Sequence, residues 1–532
     1  MKCGEAIAKL LKAYGVDTVF GIPGVHTVEM YRNFSNSDLR HIAPRHEQGA
    51  GFMAYGYAVA TGRPAACFLI TGPGVLNAAS AIGEAYSDSV PMLVLCATNR
   101  RAELGMGGGF LHEMPSQQKA IEQVTAFTHT LLDPANLPQL FARAFTLFTS
   151  QRPRPVCIEI PLDVLDLPAE IDGHAWPLPA RPQPDSDAVR KMAQSLASCR
   201  HPLILLGGGA AEASAEATRL AERLDAPVLL TQAGKGIVPE NHPLCLGYLL
   251  PLKPAQDLLA RADLVIAIGT ELAEADRYMI GSYDFSGKLL RIDIDPAQLS
   301  RNFRATEVLQ SDARVAISAI LATLEAVNGP AVSTPGRDRV FAFKKDLGPH
   351  RLAGAPLFHR VLDSVLEALP PSTFISADST QLAYEAAMYW QARQPRSWCF
   401  PCGFGTLGTG LPGAIGAKLA APSRPVACFA GDGGFLYTVS ELSVAVEEKL
   451  SFPVIVWNNF GYGEIRDSMS ARGIRPIGVD FRIADLVSIA RGFGCHAARP
   501  ESWVELRSLV AGSFTSDCPT VIELRSDARF LA

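Results

Sequence analysis

The stretch Val426-Ala427-Cys428-Phe429-Ala430-Gly431-Asp432-Gly433-Gly434, read together with Pro453-Val454-Ile455-Val456-Trp457-Asn458-Asn459-Phe460-Gly461, decides how this chain folds. Each begins as a short continuous apolar run and ends in glycines or polar residues, the pattern of a strand buried on both faces. Both polar clusters therefore fall at the carboxyl ends of strands, where parallel α/β sheets bind ligands. Asp432 and Asn459 carry hard oxygen atoms of the kind Mg²⁺ selects, and the Gly461 carbonyl is a candidate third donor. Gly433 and Gly434 let the backbone approach phosphate oxygens that a Cβ would hold away. A Gly-Asp-Gly triplet alone is an ordinary strand-to-helix turn. The second strand, with Asn459 placed 27 positions after Asp432, makes the metal-and-diphosphate reading specific.

The same alternation recurs upstream. Thr18-Val19-Phe20 leads into Gly21-Ile22-Pro23-Gly24, and Cys67-Phe68-Leu69-Ile70 into Thr71-Gly72-Pro73-Gly74. Met92-Leu93-Val94-Leu95 and Val156-Cys157-Ile158-Glu159-Ile160-Pro161 complete a first unit over residues 1–165. A second unit, 187–328, repeats the pattern from Leu203-Ile204-Leu205-Leu206 to Leu289-Leu290-Arg291-Ile292-Asp293, and a third, 345–532, closes on Thr520-Val521-Ile522-Glu523-Leu524. Proline-bearing stretches at 166–186 and 329–337 read as linkers. The expected fold class is α/β, with three doubly wound parallel-sheet domains. Gly207-Gly208-Gly209-Ala210 follows a strand but lacks a complete dinucleotide fingerprint and a ribose-binding acid, so it reads as a tight turn for helix packing.

Composition excludes several classes. A chain of 532 residues, 48% hydrophobic, with net charge −5, builds large cores and has no basic stripe for nucleic acid. No apolar run reaches the ~18 residues of a membrane span. Residues 1–14 place Ile7, Leu10 and Leu11 at helical spacing, an amphipathic helix of the fold and not a signal peptide. The eleven cysteines are scattered, several inside apolar strands, and the lone pair Cys399-Phe400-Pro401-Cys402 lacks a partner pair for zinc. A reducing compartment, the cytoplasm, is expected.

On these motifs the chain resembles the thiamine diphosphate (ThDP) enzymes of the acetolactate synthase and 2-oxo acid decarboxylase group, over essentially its whole length. The resemblance implies the ThDP-enzyme fold, with a pyrimidine-binding domain at 1–165, a central Rossmann-like domain at 187–328 and a diphosphate-binding domain at 345–532. It implies ThDP and Mg²⁺ as cofactors, with Asp432, Asn459 and the Gly461 carbonyl as metal ligands. Gly433, Gly434, Tyr462 and Gly463 would adjoin the diphosphate, as would Ser379, Thr380 and Gln381 less specifically. FAD occurs in the central domain of some relatives; this sequence permits it without requiring it.

ThDP works only when a carboxyl group hydrogen-bonds its aminopyrimidine ring. Glu47, in Arg45-His46-Glu47-Gln48-Gly49-Ala50, is by itself an ordinary first-turn helix acid. Its match to the family's activating glutamate gives it that role by resemblance. Leu407, set among the glycines of Phe404-Gly405-Thr406-Leu407-Gly408-Thr409-Gly410, is the implied wedge that bends the cofactor, and the Gly405 carbonyl the acceptor of its amine. Proton shuttling calls for a group titrating near neutrality, which makes His26 and His112 candidates. Related decarboxylases and lyases place active-site histidines in these two regions.

The stretch 461–467 follows the metal ligands and should wall the substrate pocket. Glu464 there, assisted by Glu113, is a candidate partner for a cationic substrate tail; pairing with Arg466 and simply facing solvent are the plainer alternatives for Glu464. Phe20-Gly21-Ile22-Pro23-Gly24-Val25-His26-Thr27-Val28-Glu29 and Pro44-Arg45-His46-Glu47-Gln48-Gly49-Ala50-Gly51-Phe52-Met53-Ala54 are similar to bacterial 5-guanidino-2-oxopentanoate (2-ketoarginine) decarboxylases. That implies non-oxidative conversion of this 2-oxo acid to 4-guanidinobutanal and CO₂. The alternative is a carboligase of the acetolactate synthase type, with FAD as an optional cofactor, against which stand Ser468 and Met469 where those enzymes carry a tryptophan. The resemblance also implies a homodimer at minimum, with a homotetramer expected.

Overall fold

The computed structural model describes residues 1–278, 281–326, 334–347, 355–480 and 485–532. Among the described residues, eighteen short strands form three six-stranded parallel sheets with helices interleaved, as continuous apolar runs require when both sheet faces are covered. The chain divides into two units: one comprises Met1–Pro179, Glu367–Ala383 and Cys399–Ala532, the other Ala180–Leu366 and Tyr384–Trp398.

In the first unit, β1 (Thr18–Gly21), β2 (Arg40–Ile42), β3 (Ala65–Leu69), β4 (Met92–Thr98), β5 (Phe127–Thr130) and β6 (Val156–Pro161) lie in the order β2-β1-β3-β4-β6-β5. The winding reverses between β1 and β3, so the loops carrying His26 and Thr71 diverge there and open a crevice. The helix Cys3–Ala13 covers this sheet with Ile7, Leu10 and Leu11, as its spacing predicts.

The sheet of the central segment holds β7 (Pro202–Leu206), β8 (Val228–Leu230), β9 (Cys245–Gly247), β10 (Leu264–Ile268), β11 (Lys288–Asp293) and β12 (Glu307–Gln310), ordered β12-β11-β10-β7-β8-β9. Its glycine turn lies directly on the loop after β10. The Gly209 amide donates to the Gly269 carbonyl at 3.1 Å, and a Cβ on Gly207 would stand 2.3 Å from that same oxygen. Backbone contact accounts for Gly207 and Gly209, in keeping with a packing turn. Residues 329–333 of the linker read at 329–337 lie outside the described residues.

The third sheet returns to the first unit with β13 (Phe374–Ala377), β14 (Trp398–Cys399), β15 (Val426–Gly431), β16 (Pro453–Asn458), β17 (His496–Ala498) and β18 (Thr520–Arg525), ordered β14-β13-β15-β16-β18-β17. Its reversal falls between β13 and β15, which puts Ser379–Gln381 and Asp432–Gly434 on the two sides of one crevice. The helix Glu47–Thr61, beside the first sheet, packs on the helix Gly410–Ala420, beside the third. The approach is close enough that a Cβ on Gly56 would meet the Gly413 carbonyl at 2.1 Å, and one on Gly416 the Met53 carbonyl at 1.9 Å. One continuous apolar cluster runs across this contact, with Met53, Ala54 and Ala58 from one side and Leu411, Ala414 and Ile415 from the other.

Candidate active site

Asp432 opens the short helix Asp432–Tyr437 at the end of β15 and is buried. Burial pushes its carboxyl up to about 6, opposed by the Gly461 and Gly433 amides; the Gly461 amide donates to it at 2.9 Å. Gly461 holds φ +146°, a backbone state closed to other residues, and a Cβ there would strike the Val479 carbonyl at 2.0 Å. The two asparagines divide their work. Asn458 donates to Glu523 at 2.6 Å and accepts from the Phe460 amide, so it locks the turn. Asn459 donates its amide nitrogen to Gln381 Oε1 at 3.1 Å, which leaves its oxygen as the atom it can offer a cation.

Gln381 is a junction, since its Nε2 also donates to Glu464 at 3.3 Å and to Asp467 at 3.1 Å. Arg466 turns instead to Asp480 at 2.8 Å and to the Asn459 carbonyl, so the exposed Glu464 is not its partner. Thr380 lies against Gly431, where a Cβ would come within 3.0 Å of its hydroxyl oxygen. Tyr462 lies across Gly433 and meets Tyr437 through its phenol, a contact that, with burial, pushes the phenol up to about 12.

Behind Gly434 stands Asp378, a residue the sequence reading passes over. It is fully buried, and burial pushes it up to about 6 against the amides of Ser379, Gly410 and Gly408. A Cβ on Gly434 would meet the Asp378 carboxyl carbon at 2.9 Å, so this cradle is closed to any larger residue.

Glu47 is the first residue of its helix, which His46 caps by accepting from the Gln48 amide at 3.2 Å. Its carboxylate accepts from Asn77 Nδ2 at 2.9 Å and lies near Gly74, in the turn after β3. Asn77 was not legible as a site residue. Neither was Glu441, a buried acid whose carboxylate accepts from the Arg45 and His46 amides at 3.0 and 3.1 Å, at the start of the Glu47 helix.

Burial pushes Glu441 up to about 7 from 4.5, against the pull of those amides. A raised acid binds more protons in the folded than in the unfolded chain, so its contribution falls as pH rises from about 4.5 to about 7 and stays low above that. Glu441→Gln should therefore flatten the decline of thermal stability across this window, by on the order of 3 kcal/mol in its wild-type pH dependence. Melting curves of the two proteins from pH 5 to 8 check it; parallel profiles would count against it.

His26 and His112 come together, with ring centroids 4.9 Å apart. His26 is buried and its Nδ1 lies 2.9 Å from the Thr71 hydroxyl. Burial, and then His112, lower its pKa despite Glu103, so His26 is neutral at pH 7 and able to accept a proton. The buried Nδ1 of His112 has no hydrogen-bond partner among the described residues, on a backbone held at φ 60°. Leu407 is half-buried, and Gly405 has open space around it at φ +73°.

Glu113 departs from the reading given to it. Its carboxylate accepts from the amides of Gly107, Gly109 and Phe110 at 2.8, 2.8 and 3.1 Å. Burial alone would raise it, yet these amides together lower it. It closes its own loop and is not turned to a substrate. A cavity of about 220 Å³ lies under this loop, lined among others by Thr71, Asn99, Glu103, Gln117 and Glu159. Glu159 there is raised by burial and held only by neutral donors, Thr130 and Gln117 at 3.2 Å.

Three family models cover most of the sequence: thiamine pyrophosphate enzyme, N-terminal TPP binding domain, over 1–123; central domain, over 189–346; and C-terminal TPP binding domain, over 378–524. The chain belongs to the thiamine pyrophosphate enzyme family. Among its relatives in that family is "Probable 2-ketoarginine decarboxylase AruI" of Pseudomonas aeruginosa, 46% identical over 99% of this chain and 94% of that one. "Probable acetolactate synthase large subunit" of Methanocaldococcus jannaschii is 32% identical over 99% and 92%. An X-ray structure from Mycobacterium smegmatis, assigned to the thiamin diphosphate-dependent enzymes, superposes with a TM-score of 0.84 at 25% identity over 99% of both chains. Thiamine diphosphate is thus the family's cofactor, and the expected fold is the one found. No helix among the described residues is long and apolar enough to cross a membrane.

Proposed function

We propose that this enzyme removes CO₂ from a 2-oxo acid bearing a cationic tail, 5-guanidino-2-oxopentanoate being the substrate that fits best, with 4-guanidinobutanal as product. The observation that carries this reading is charge. The cavity beside Thr71 and His26 is lined by the acids Glu103 and Glu159 with no Lys or Arg among its lining residues, and Glu464 stands free of Arg466. Carboxylates left without a basic neighbour suit a guanidinium group, which forms charge-assisted bonds with them. Similarity to AruI supports the same choice.

The residues present fit ThDP with Mg²⁺. Asp432, Asn459 and the Gly461 carbonyl would hold the metal, and Gly433 and Gly434 leave the close approach a diphosphate needs. The orphaned His112 Nδ1 awaits a partner. When bound, ThDP supplies a carbon nucleophile and an electron sink for the departing carboxyl group. Glu47 holds a hydrogen bond at the aminopyrimidine, Leu407 and Gly405 position that ring, and His26 and His112 move protons to and from the substrate. We assign the pyrimidine-binding, central and diphosphate-binding roles to 1–165, 187–328 and 345–532, and infer a cytoplasmic homodimer or homotetramer. Exposed apolar side chains beside the site, Val25, Val28, Met106 and Leu111 among them, suit a second copy.

The deciding experiment measures CO₂ release by the purified protein with ThDP and Mg²⁺ on 5-guanidino-2-oxopentanoate, pyruvate and phenylpyruvate. Preference for the guanidino acid with an aldehyde product is expected. Preference for pyruvate with acetolactate as product would replace this reading with a carboligase. Within it, Glu464→Leu should raise KM for the guanidino acid about 10- to 100-fold, roughly 1.4–3 kcal/mol, and leave neutral 2-oxo acids unaffected. An equal loss on every substrate would remove Glu464 from recognition.

A further inference from the structure

We propose that Glu84 and Asp88, at the end of the helix Pro73–Ser87, are positioning residues that hold loop 402–406 so that Gly405 and Leu407 stand ready to receive the cofactor's aminopyrimidine; this rests on the cofactor reading above. The helix itself gives no reason for these residues. Two carboxylates four positions apart repel each other, and the carboxyl end of a helix is the wrong end for negative charge. Glu84 is fully buried, and Asp88 is raised well above the usual carboxylate range by burial and by Glu84. Such a pair is costly unless donors compensate it closely.

The donors are loop amides. Glu84 accepts from the Phe404 amide at 3.0 Å, the Thr406 amide at 2.9 Å and the Thr406 hydroxyl at 2.7 Å. Asp88 accepts from the Gly403 amide at 2.8 Å, the Cys402 amide at 3.4 Å and the Tyr55 hydroxyl at 2.6 Å. Asp378 continues the series, accepting from the Gly408 and Gly410 amides at 2.9 and 3.4 Å. Three carboxylates thus fix six amides between Cys402 and Gly410, and Gly405 and Leu407 are among the positions left between the clamps.

Side-chain packing points the same way. The Phe404 ring lies on Gly83, where a Cβ would meet it at 2.8 Å, and Gly403 lies on Ser87 and Asp88 at 2.8 and 2.9 Å from its own Cβ position. The loop is therefore laid onto the helix by shape as well as by charge. A loop held in advance loses less freedom when the cofactor binds, so the clamp should act on the reactive geometry more than on substrate affinity.

Glu84→Gln tests this, because its amide nitrogen would face a loop N–H it cannot accept from. In the cofactor-free variant, backbone amide exchange in 402–406 should speed up about tenfold or more. With ThDP and Mg²⁺, kcat should fall about tenfold, and ThDP should bind more weakly, while KM for the 2-oxo acid stays within about twofold. Thr406→Val, which removes only the hydroxyl bond, should move the same quantities less and in the same direction, and it serves if Glu84→Gln does not fold. Unchanged exchange in the loop would overturn the clamp. Faster exchange with unchanged kcat and ThDP affinity would overturn its positioning role. Failure of the wild-type protein to bind ThDP would instead overturn the cofactor reading, with the exchange result on the free protein standing apart from it.

Discussion

Glu47→Gln should lower kcat by about a thousandfold while ThDP still binds within about tenfold of its wild-type affinity. The substitution keeps the shape of the side chain and an oxygen to accept from Asn77, so the opening of the helix is preserved. What it removes is a group that can give and take a proton, and general acid–base roles are worth about a hundred- to ten-thousandfold, the middle of that range being ~4 kcal/mol. Single-turnover decarboxylation together with a ThDP titration checks the expectation. Near-normal turnover would reduce Glu47 to a first-turn helix acid and end the assignment.

Asp432→Asn should abolish the rise in melting temperature that Mg²⁺ and ThDP give the wild-type protein, and weaken their binding by at least about a hundredfold. Altering the groups around a metal ligand already costs ten- to a hundredfold, and the ligand itself should cost no less. The cofactor-free variant should show the opposite sign. Burial raises the Asp432 carboxyl to about 6, so above that pH the folded protein carries it as a buried carboxylate at a cost in stability, and removing the charge should leave melting at pH 8 unchanged or higher. A purely structural Asp432, kept to accept from the Gly461 amide, would give a less stable variant instead. Calorimetry with and without cofactor separates the two.

The strand ends that carry Asp432, Asn459 and the β1 and β3 turns were legible because their signal is local: an apolar run of strand length followed at once by glycine. The partners that orient these residues were not. Glu441 meets Arg45 across 396 positions, and Glu84 meets Thr406 across 322, so nothing near either acid distinguishes it from a solvated helix residue. Asp378 was hidden in a different way, as one acid beside Ser379 and Thr380 whose amide partners come from a glycine loop 30 and 32 positions on. Glu113 shows the reverse error. Its amide cage comes from Gly107, Gly109 and Phe110, and the triple glycine just upstream signalled a tight loop in need of an acceptor. The paired histidines were each visible, but their 4.9 Å contact depends on β1 and β4 flanking β3 in the sheet, which single strands do not announce.

The contact of Gly56 with Gly413 and of Gly416 with Met53 sets a limit on how this enzyme can be redesigned. Main chain touches main chain there, so no side chain remains that could be lengthened or shortened to tune the spacing of the two sheets. Even alanine would wedge them apart. New substrate preferences must then be written at the exposed side chains of two segments, the loop at 100–116 and the helix Gly463–Ala471, which can be exchanged without disturbing the frame. Libraries confined to those two segments should stay folded at high frequency, whereas variation along the helix Gly410–Ala420 should yield mostly unfolded protein.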